Sequence, residues 1–237
     1  MTTGGGSVSD IIVCKNIIYK AGHETILEID SFSAKQGEQI VLMGPSGSGK
    51  TTFLKLLSGL LQPTTGNVNV CNEPLHEQGD AERLKFRAEK IGMVFQEFRL
   101  FPFMTALDNV LVQQLTRSKQ QANIDKSKAT ELLINMGLEN RIHHKVGVLS
   151  RGQQQRVAIA RALIHEPSVL LVDEPTSNLD VRTGLNMMSL LQDYSSKTNA
   201  TLITVTHDTH IADRFEKQMK MEHINKVYQQ AIAEVSQ

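Results

Sequence analysis

A glycine-rich segment, GPSGSGKTT, spans residues 44–52 and has the residue types that bind phosphate. Its fixed positions match G-x-x-x-x-G-K-[ST], which disfavours the alternative of a flexible Gly/Ser loop. Glycines let backbone N–H groups turn towards phosphate oxygens, and a helix starting at the loop adds positive charge. Lys50 could reach the β- and γ-phosphates, and the Thr51 hydroxyl could ligate Mg²⁺. The predicted phosphate-binding residues are Gly44, Pro45, Ser46, Gly47, Ser48, Gly49, Lys50, Thr51 and Thr52.

Two adjacent carboxylates, Asp173 and Glu174, follow the apolar run Val169–Val172. In a protein with a phosphate loop, an aspartate at such a strand end can hold Mg²⁺. The next carboxylate could polarise a water molecule against the γ-phosphate. By themselves these residues could be no more than a charged strand end. Together with the glycine-rich segment they predict a hydrolytic site with Asp173 and Thr51 at the metal and Glu174 as the base.

A polar helix start, LSRGQ, spans Leu149–Gln153 and contains no nucleophile, acid or metal ligand. A serine hydroxyl, a backbone bared by glycine and a helix N-terminus would together form a neutral cradle for an anion. From the residue types alone, however, an ordinary capped amphipathic helix is the simpler interpretation.

Short apolar runs alternate with helical patterns, which predicts an α/β fold with a mainly parallel sheet around a P-loop core. The predicted strands are Ile11–Val13, Ile26–Ile29, Gln39–Met43, Ile91–Phe95, Ser168–Val172 and Thr201–Thr206. The predicted helices are Lys50–Leu61, Lys128–Met136, Gly152–His165 and Val181–Tyr194. Between Gln96 and His165 the strand pattern disappears, so we expect an inserted α-helical subdomain at about residues 97–165. A small antiparallel β subdomain is expected before the phosphate loop.

The overall composition restricts the partners of this chain. Its 237 residues include 25 basic and 25 acidic side chains, and this zero net charge argues against a nucleic-acid partner. With only two cysteines and no signal-peptide pattern, we expect reduced thiols in a cytoplasmic protein. No apolar run approaches the roughly 20 residues of a membrane helix, so work at a membrane would require a partner. Residues 1–10 are predicted to be disordered and residues 226–237 to form a tail.

The order and spacing of these motifs resemble those of ATP-binding-cassette (ABC) ATPases over about residues 10–225. The resemblance is carried by residues 44–51, Gln96 in VFQEF, Leu149–Gln153, Asp173–Glu174, Ser177–Asp180 (SNLD) and His207 in VTHD. It implies one ABC ATPase domain over residues 11–225, with ATP and Mg²⁺ as cofactors. It also implies hydrolysis of ATP coupled to transport or translocation.

The resemblance further implies that each active site is shared between two subunits. Ser150, Gly152 and Gln153 would contact the γ-phosphate of ATP held by the opposite subunit. Both half-sites are present in this sequence, so a head-to-tail homodimer would close two equivalent sites. Arg151 stands where the commonest form of the motif has glycine. The exchange is harmless if its side chain points away from phosphate, and otherwise it alters affinity.

Four further positions receive roles through the resemblance, each with a simpler alternative. Gln96 would sense Mg²⁺ and water, whereas it could be a solvated loop residue. His207 would contact the γ-phosphate and orient Glu174, whereas it could be a capping or core histidine. Asp180 would lie at the dimer seam, or else be a carboxylate at a helix N-terminus. Tyr19 would stack on adenine, or else be a tyrosine at a sheet edge.

The wider context separates several kinds of cassette. The segment RAEKIGMVFQEFRLFPFMTALDNV resembles both the lipoprotein-release, macrolide-export and cell-division branch and the polar amino-acid importer branch, and SNLD and THD favour the first. Soluble cassettes that act on DNA or ribosomes usually carry long coiled coils or a second cassette, which this sequence lacks. Glu174 and His207 argue against a non-hydrolysing regulatory module. The resemblance thus implies an integral membrane permease as partner, with this chain at the cytoplasmic face of the membrane.

Two segments remain open to interpretation. The apolar cluster Phe98, Leu100, Phe101, Phe103 and Met104 is either the core of the helical subdomain or a cleft for a short helix of the membrane partner. Near the C-terminus, the family's Asp-Gly turn between two strands is missing. We expect EHIN, residues 222–225, to form the turn of that closing hairpin instead.

Overall fold

The computed structural model describes residues 10–112, 122–175 and 181–235, and within these the strands form two sheets. One sheet is antiparallel, with the strand order β2-β1-β4-β5, and the other is parallel, with the order β6-β7-β8-β3-β9. The strands are β1 (Asp10–Ala21), β2 (Glu24–Lys35), β3 (Gln39–Met43), β4 (Thr65–Val70), β5 (Glu73–Pro74), β6 (Ile91–Val94), β7 (Val169–Asp173), β8 (Thr201–Thr206) and β9 (Lys217–Lys220).

The helices lie between and after these strands. They are α1 (Lys50–Leu57), α2 (Asp80–Lys90), α3 (Ala106–Leu111), α4 (Ala122–Asn135), α5 (Arg151–Leu163), α6 (Val181–Thr198), α7 (Thr209–Ala212), α8 (Met221–Ile224) and α9 (Lys226–Val235). Within the described ranges, no helix has the length and apolar content needed to cross a bilayer. The arrangement confirms the predicted α/β class, with a parallel sheet, a small antiparallel sheet and a helical insertion. The antiparallel sheet does not lie wholly before the phosphate loop, as was expected, because its strands β4 and β5 follow that loop.

The parallel sheet brings the predicted chemistry to one edge. Residues of β7 and β8 are buried throughout, as expected for parallel strands covered on both faces. The pairings Met43↔Thr206 and Asp173↔Val205 align the carboxyl ends of β3, β7 and β8. The phosphate loop, Asp173 and the residues after β8 therefore meet where open α/β sheets place their ligands.

Helices and turns occupy the described residues between β6 and β7. Helices α3, α4 and α5 pack on one another, and an isolated bridge pairs Thr105 with Lys145. Buried residues of α3, α4 and α5 share one apolar core with those of β7 and α6. This organisation is consistent with an inserted helical subdomain, and its bounds at about residues 97–165 stay a prediction.

The sequence patterns missed β4 and α2, for physical reasons. β4 reads TGNVNV, in which glycine and asparagine have low strand propensity. Gly66 has φ of +90°, and a Cβ there would lie 2.1 Å from the Asn16 carbonyl oxygen, so this strand position requires glycine. Helix α2 is rich in charged residues and buries only Arg83 and Phe86, so it lacks the apolar run that marked the predicted helices.

The C-terminal segment differs from the expected hairpin. Met221–Ile224 forms the short helix α8 where EHIN was expected to turn, and β9 pairs in parallel with β3. Within the described residues no strand follows β9. The predicted tail begins with helix α9, which packs on β2. The prediction of a hairpin was wrong because KVYQQAIAEV has apolar residues at helical spacing, which favour a helix on β2 over another strand.

Candidate nucleotide site

The glycine-rich segment forms a tight loop at the start of α1. Ser48 donates from its backbone N–H and its Oγ to the Pro45 carbonyl, at 3.3 and 2.9 Å. Gly47 and Gly49 have φ of +83° and +94°, in the left-handed region that favours glycine. A Cβ at Gly49 would also lie 2.5 Å from Leu27 Cδ2. The glycines therefore permit a loop whose backbone can surround a small anion at a helix N-terminus.

Lys50 lies across this loop as a buried cation. Its side chain is 6% exposed, and Nζ donates to the Gly44 and Pro45 carbonyl oxygens. The same Nζ is 3.1 Å from Glu174 Oε1. Burying an ammonium is costly unless such partners surround it, so this geometry holds the charge over the loop. The ammonium is placed to meet phosphate oxygens bound there.

Thr51 and Asp173 provide the oxygen ligands expected for Mg²⁺. Thr51 Oγ1 donates to Asp173 Oδ1 at 2.9 Å, and Asp173 is 5% exposed. Burial raises the pKa of the Asp173 carboxyl, while the hydrogen bond from Thr51 and the nearby cations Lys50 and Lys55 act in the opposite direction. A cation beside this pair would favour the ionised carboxylate, and hydroxyl and carboxylate oxygens suit Mg²⁺. The residues present therefore fit that ion.

Glu174 connects the Lys50 side of the site to His207. His207 Nδ1 is 2.9 Å from Glu174 Oε2, and Thr206 Oγ1 donates to the same oxygen at 3.4 Å. The Glu174 side chain is 10% exposed, whereas that of His207 is 62% exposed. Glu174 has φ of +45°, a left-handed conformation that is costly for a non-glycine residue and often occurs at functional sites. The carboxylate is thus fixed between an ammonium and an imidazole.

Lys50, Thr51, Glu174 and His207 face a common cavity of about 480 Å³, and Asp173 lies behind it, in contact with Thr51. Its lining residues are Glu24, Ile26, Ser46, Gly47, Gly49, Lys50, Thr51, Thr52, Gln96, Glu174 and His207. The structure therefore brings together most of the phosphate loop and the three predicted catalytic residues Gln96, Glu174 and His207. Sequence reasoning missed Glu24 and Ile26, because no motif signals that β2 forms one wall.

Tyr19, Asp180 and the polar helix start have different positions. Neither Tyr19 nor any residue of Leu149–Gln153 is among the described residues that line the cavity. The half-buried Tyr19 packs against the core shared by the two sheets, and its stacking on adenine stays a prediction. Asp180, with the rest of Ser177–Asp180, lies outside the described residues.

The polar helix start forms a capping box at the beginning of α5. Gln153 N donates to Ser150 Oγ at 3.4 Å, and Ser150 N donates to Gln153 Oε1 at 3.1 Å. The Arg151 guanidinium lies 5.7 Å from the centre of the Phe98 ring, within reach of a cation–π contact. The capped-helix interpretation thus describes the local structure, and Ser150 stays exposed on a surface separate from the cavity.

Hydrogen bonds connect the segment after Gln96 to the C-terminal end of α5. Arg161 is 5% exposed and donates from its guanidinium to the carbonyl oxygens of Phe98 and Arg99. Phe98 and Arg99 both have positive φ, of 53° and 48°. Burial, and then the nearby Arg99, lower the pKa of Arg161 to about 10. Helix α5 therefore joins the polar helix start to the turn that follows the cavity residue Gln96.

Comparison with known proteins agrees with this geometry. The model of the ABC transporter family matches residues 27–177. The chain is 37% identical over 215 residues to the lipoprotein-releasing system ATP-binding protein LolD of Legionella pneumophila (strain Lens), covering 89% of this chain and 94% of that protein.

Two solved structures extend the comparison. The dimeric post-hydrolysis state of the ATP-binding cassette MJ0796, bound to ADP and Pi, is 37% identical with a TM-score of 0.77, covering 90% of this chain and 94% of that one. The structure of cbiO1 from Clostridium perfringens, part of the transporter complex cbiONQ, is 29% identical with a TM-score of 0.75, covering 85% and 80%. The chain therefore belongs to the ABC transporter family and is one of its ATP-hydrolysing cassettes.

Proposed function

We propose that this cassette is the ATPase subunit of a transporter or membrane-bound mechanical complex, acting at the cytoplasmic face of the membrane. Two copies close head to tail on ATP and drive a separate integral membrane protein. The observation that supports this proposal most strongly is the separation of two complementary surfaces on one chain. The cavity contains the phosphate loop with Glu174, and the exposed Ser150 lies on a different surface.

Within one cavity, each side chain has a distinct role. Backbone N–H groups of the phosphate loop and the Lys50 ammonium bind phosphate oxygens. Glu174 accepts a proton from the attacking water, and His207 orients its carboxylate through the 2.9 Å contact. Thr51 and Asp173 would hold Mg²⁺, which supplies neutralisation of phosphate charge when bound. Gln96 senses Mg²⁺ and water in the cavity and couples their presence to the segment that follows it.

The second surface completes the site of another copy. The N-terminus of α5 carries partial positive charge and exposed polar groups, which suit an anion. A two-fold axis lets each copy present this surface to the phosphate loop of its partner, because surface i meets j and j meets i. Both half-sites would then be complete only in the dimer.

The dimer itself provides a direct test. Glu174→Gln should retain Lys50 and the phosphate loop, so it should bind ATP and accumulate as a dimer. Sedimentation velocity with MgATP should show a dimer that is absent with ADP, because only ATP offers a γ-phosphate to the opposite α5. The matched control is Glu174→Gln combined with Gly152→Asp. A monomer of Glu174→Gln under saturating MgATP would contradict the proposed closure.

The similarity to LolD supports assignment to the lipoprotein-release, macrolide-export and cell-division branch. The polar amino-acid importer branch is the alternative. Identification of the membrane protein that co-purifies with the chain distinguishes the two. A permease of the amino-acid importer type would reject the preferred branch while leaving the ATPase intact.

The apolar cluster after Gln96 divides into two parts. Phe98 is 4% exposed, and the partly buried Leu100 packs against the apolar core that includes residues of α3, α4 and α5. Phe101 and Phe103 are 41% and 69% exposed, and their rings form an edge-to-face pair 6.0 Å apart. Of the two interpretations of this cluster, burial excludes the cleft for Phe98, and Phe101 and Phe103 remain as candidate contacts with the membrane partner.

Replacing Phe101 and Phe103 together by serine should release the membrane partner. Exposed aromatic anchors can each contribute about 2 kcal/mol or more when an interface buries them. The measurement is recovery of the partner from a membrane fraction, beside ATP binding and a melting curve. Phe98→Ser is the matched control and should instead lower the melting temperature, because it removes a buried ring. A double variant that folds, binds ATP and still holds its partner would place the docking site elsewhere.

A further inference from the structure

Asn225 joins three separate parts of the fold through one buried amide. It lies between α8 and α9 and is 1% exposed. Its Oδ1 accepts from the Glu28 N–H at 3.0 Å, and its Nδ2 donates to the carbonyl oxygens of Ile26 and Ser48, both at 3.1 Å. Both amide hydrogens are thereby used. The C-terminal segment is thus bonded to β2 and to the backbone of the phosphate loop.

The contact with Ser48 controls the orientation of one peptide unit in the loop. In a trans peptide the carbonyl and the following N–H point in opposite directions. By binding the Ser48 carbonyl, Asn225 directs the Gly49 N–H to the other side of that unit, and Gly49 lines the cavity. Glycine on its own would permit the unit to rotate at little cost. The amide therefore restricts a peptide that the loop sequence leaves free.

The contacts with β2 hold the opposite wall of the same cavity. Ile26 and Glu24 line that wall, and Asn225 binds the Ile26 carbonyl and the Glu28 N–H. One side chain thus bridges β2 and the phosphate loop by hydrogen bonds to both.

Neighbouring contacts keep Asn225 in place. Its N–H donates to the Met221 carbonyl at 2.8 Å, and its own carbonyl accepts from Gln229 N at 3.1 Å. The next residue, Lys226, has Nζ 2.6 Å from Asp30 Oδ1 on β2. The position of the amide is therefore defined by the backbone of both short helices and by an ion pair to the strand it binds.

We propose that Asn225 is a positioning residue that preorganises the phosphate loop, and that α8 and α9 thereby form part of the nucleotide-binding unit. Preorganised donors bind phosphate more tightly because the loop loses less conformational freedom on binding. The inference rests on the nucleotide site proposed above and assigns a role in it to a segment outside every motif of the sequence.

Two substitutions test the proposal. Asn225→Asp keeps the shape but places a carboxylate against the carbonyls of Ile26 and Ser48, and Asn225→Leu removes the polar groups without adding charge. Each should raise the Kd for MgATP and for MgADP about tenfold, which is the effect expected from the loss of one net hydrogen bond. In steady state the KM for ATP should rise by a similar factor, with a smaller change in kcat. An effect confined to Asn225→Asp would reflect charge alone and would overturn the proposal.

Asn109 is the matched control for stability. It is fully buried, and its amide likewise accepts from one backbone N–H and donates to backbone carbonyls, those of Phe101 and Thr105. Asn109→Leu should lower the melting temperature about as much as Asn225→Leu while leaving the Kd for nucleotide within about twofold. If Asn109→Leu weakens nucleotide binding equally, Asn225 acts only through stability and the proposal is overturned. Unchanged nucleotide affinity in folded Asn225 variants would overturn it as well.

Amide hydrogen exchange in the unaltered chain keeps the proposal testable if the variants do not fold. Saturation with MgADP should slow exchange of the Glu28 N–H and of the α8 and α9 amides together with the phosphate loop, because Asn225 connects them. Protection limited to the phosphate loop would overturn the proposal. Failure of the unaltered chain to bind nucleotide would refute the nucleotide site itself, and the two failures are therefore distinct.

Discussion

Replacement of Glu174 by glutamine should slow ATP hydrolysis at least about 100-fold, the usual contribution of a positioned base. Glutamine keeps the shape of the side chain but cannot accept the proton of the attacking water. Lys50 and the phosphate loop are unchanged, so ATP should still bind. The measurements are phosphate release at saturating MgATP and equilibrium binding of the nucleotide.

Glu216→Gln is the matched control, because Glu216 is an exposed carboxyl between α7 and β9. It should hydrolyse ATP at the rate of the unaltered chain. Near-normal turnover by Glu174→Gln would assign the base to another group. Loss of ATP binding would instead mean that the contact of Glu174 with Lys50, at 3.1 Å, is needed to hold the ammonium in place.

Mixing two inactive variants should partly restore hydrolysis. Lys50→Ala removes the phosphate clamp, and Gly152→Asp directs a carboxylate towards the γ-phosphate of the opposite copy. A Cβ at Gly152 meets nothing closer than 3.6 Å, so the substitution should not disturb folding, and Gly152→Ala is its uncharged control. In a mixed dimer one site combines an intact phosphate loop with an intact α5 N-terminus. Activity should therefore rise above that of either variant alone.

Proven mixed dimers without recovered activity would count against independent shared sites. Strict coupling between the two sites could also leave the mixed dimer without ATPase activity. The number of ATP molecules trapped per mixed dimer distinguishes coupling from the absence of shared sites. One ATP held per mixed dimer, without turnover, would indicate shared but coupled sites. No trapped ATP would contradict sharing.

The sequence predicted the site best where local chemistry and local structure coincide. The bounds of β3 and β8 agree with the predicted strands. Asp173 contacts Thr51 of the phosphate loop and His207 shares a cavity with that loop, because parallel strands end at one edge. Each of these residues directly follows a buried apolar run. Residues at the ends of strands can therefore be predicted from the sequence, and the parallel topology of the sheet places those ends side by side.

Features that depend on long-range contacts could not be predicted in this way. Asn225 binds Ser48 across 177 residues, and no pattern near either residue signals the contact. Phe98 and Phe103 have the same residue type in one short segment, but the first is buried and the second exposed. Their difference follows from the left-handed turn at Phe98 and Arg99, which Arg161 fastens from a distant helix. Such positions are set by tertiary structure, which overrides residue type.

Helix α5 is a stiff rod about 20 Å long, given its 13 residues and the rise of an α-helix. Ser150, at one end, faces the neighbouring copy in the proposed dimer, and Arg161, near the other, grips the turn after Gln96. With a pKa of about 10, Arg161 stays charged at neutral pH, so its hydrogen bonds to the turn do not depend on a change of protonation. In the proposed dimer, a push on the Ser150 end of α5 would therefore also move its Arg161 end, and closure between two copies would reach the segment that precedes Phe101 and Phe103.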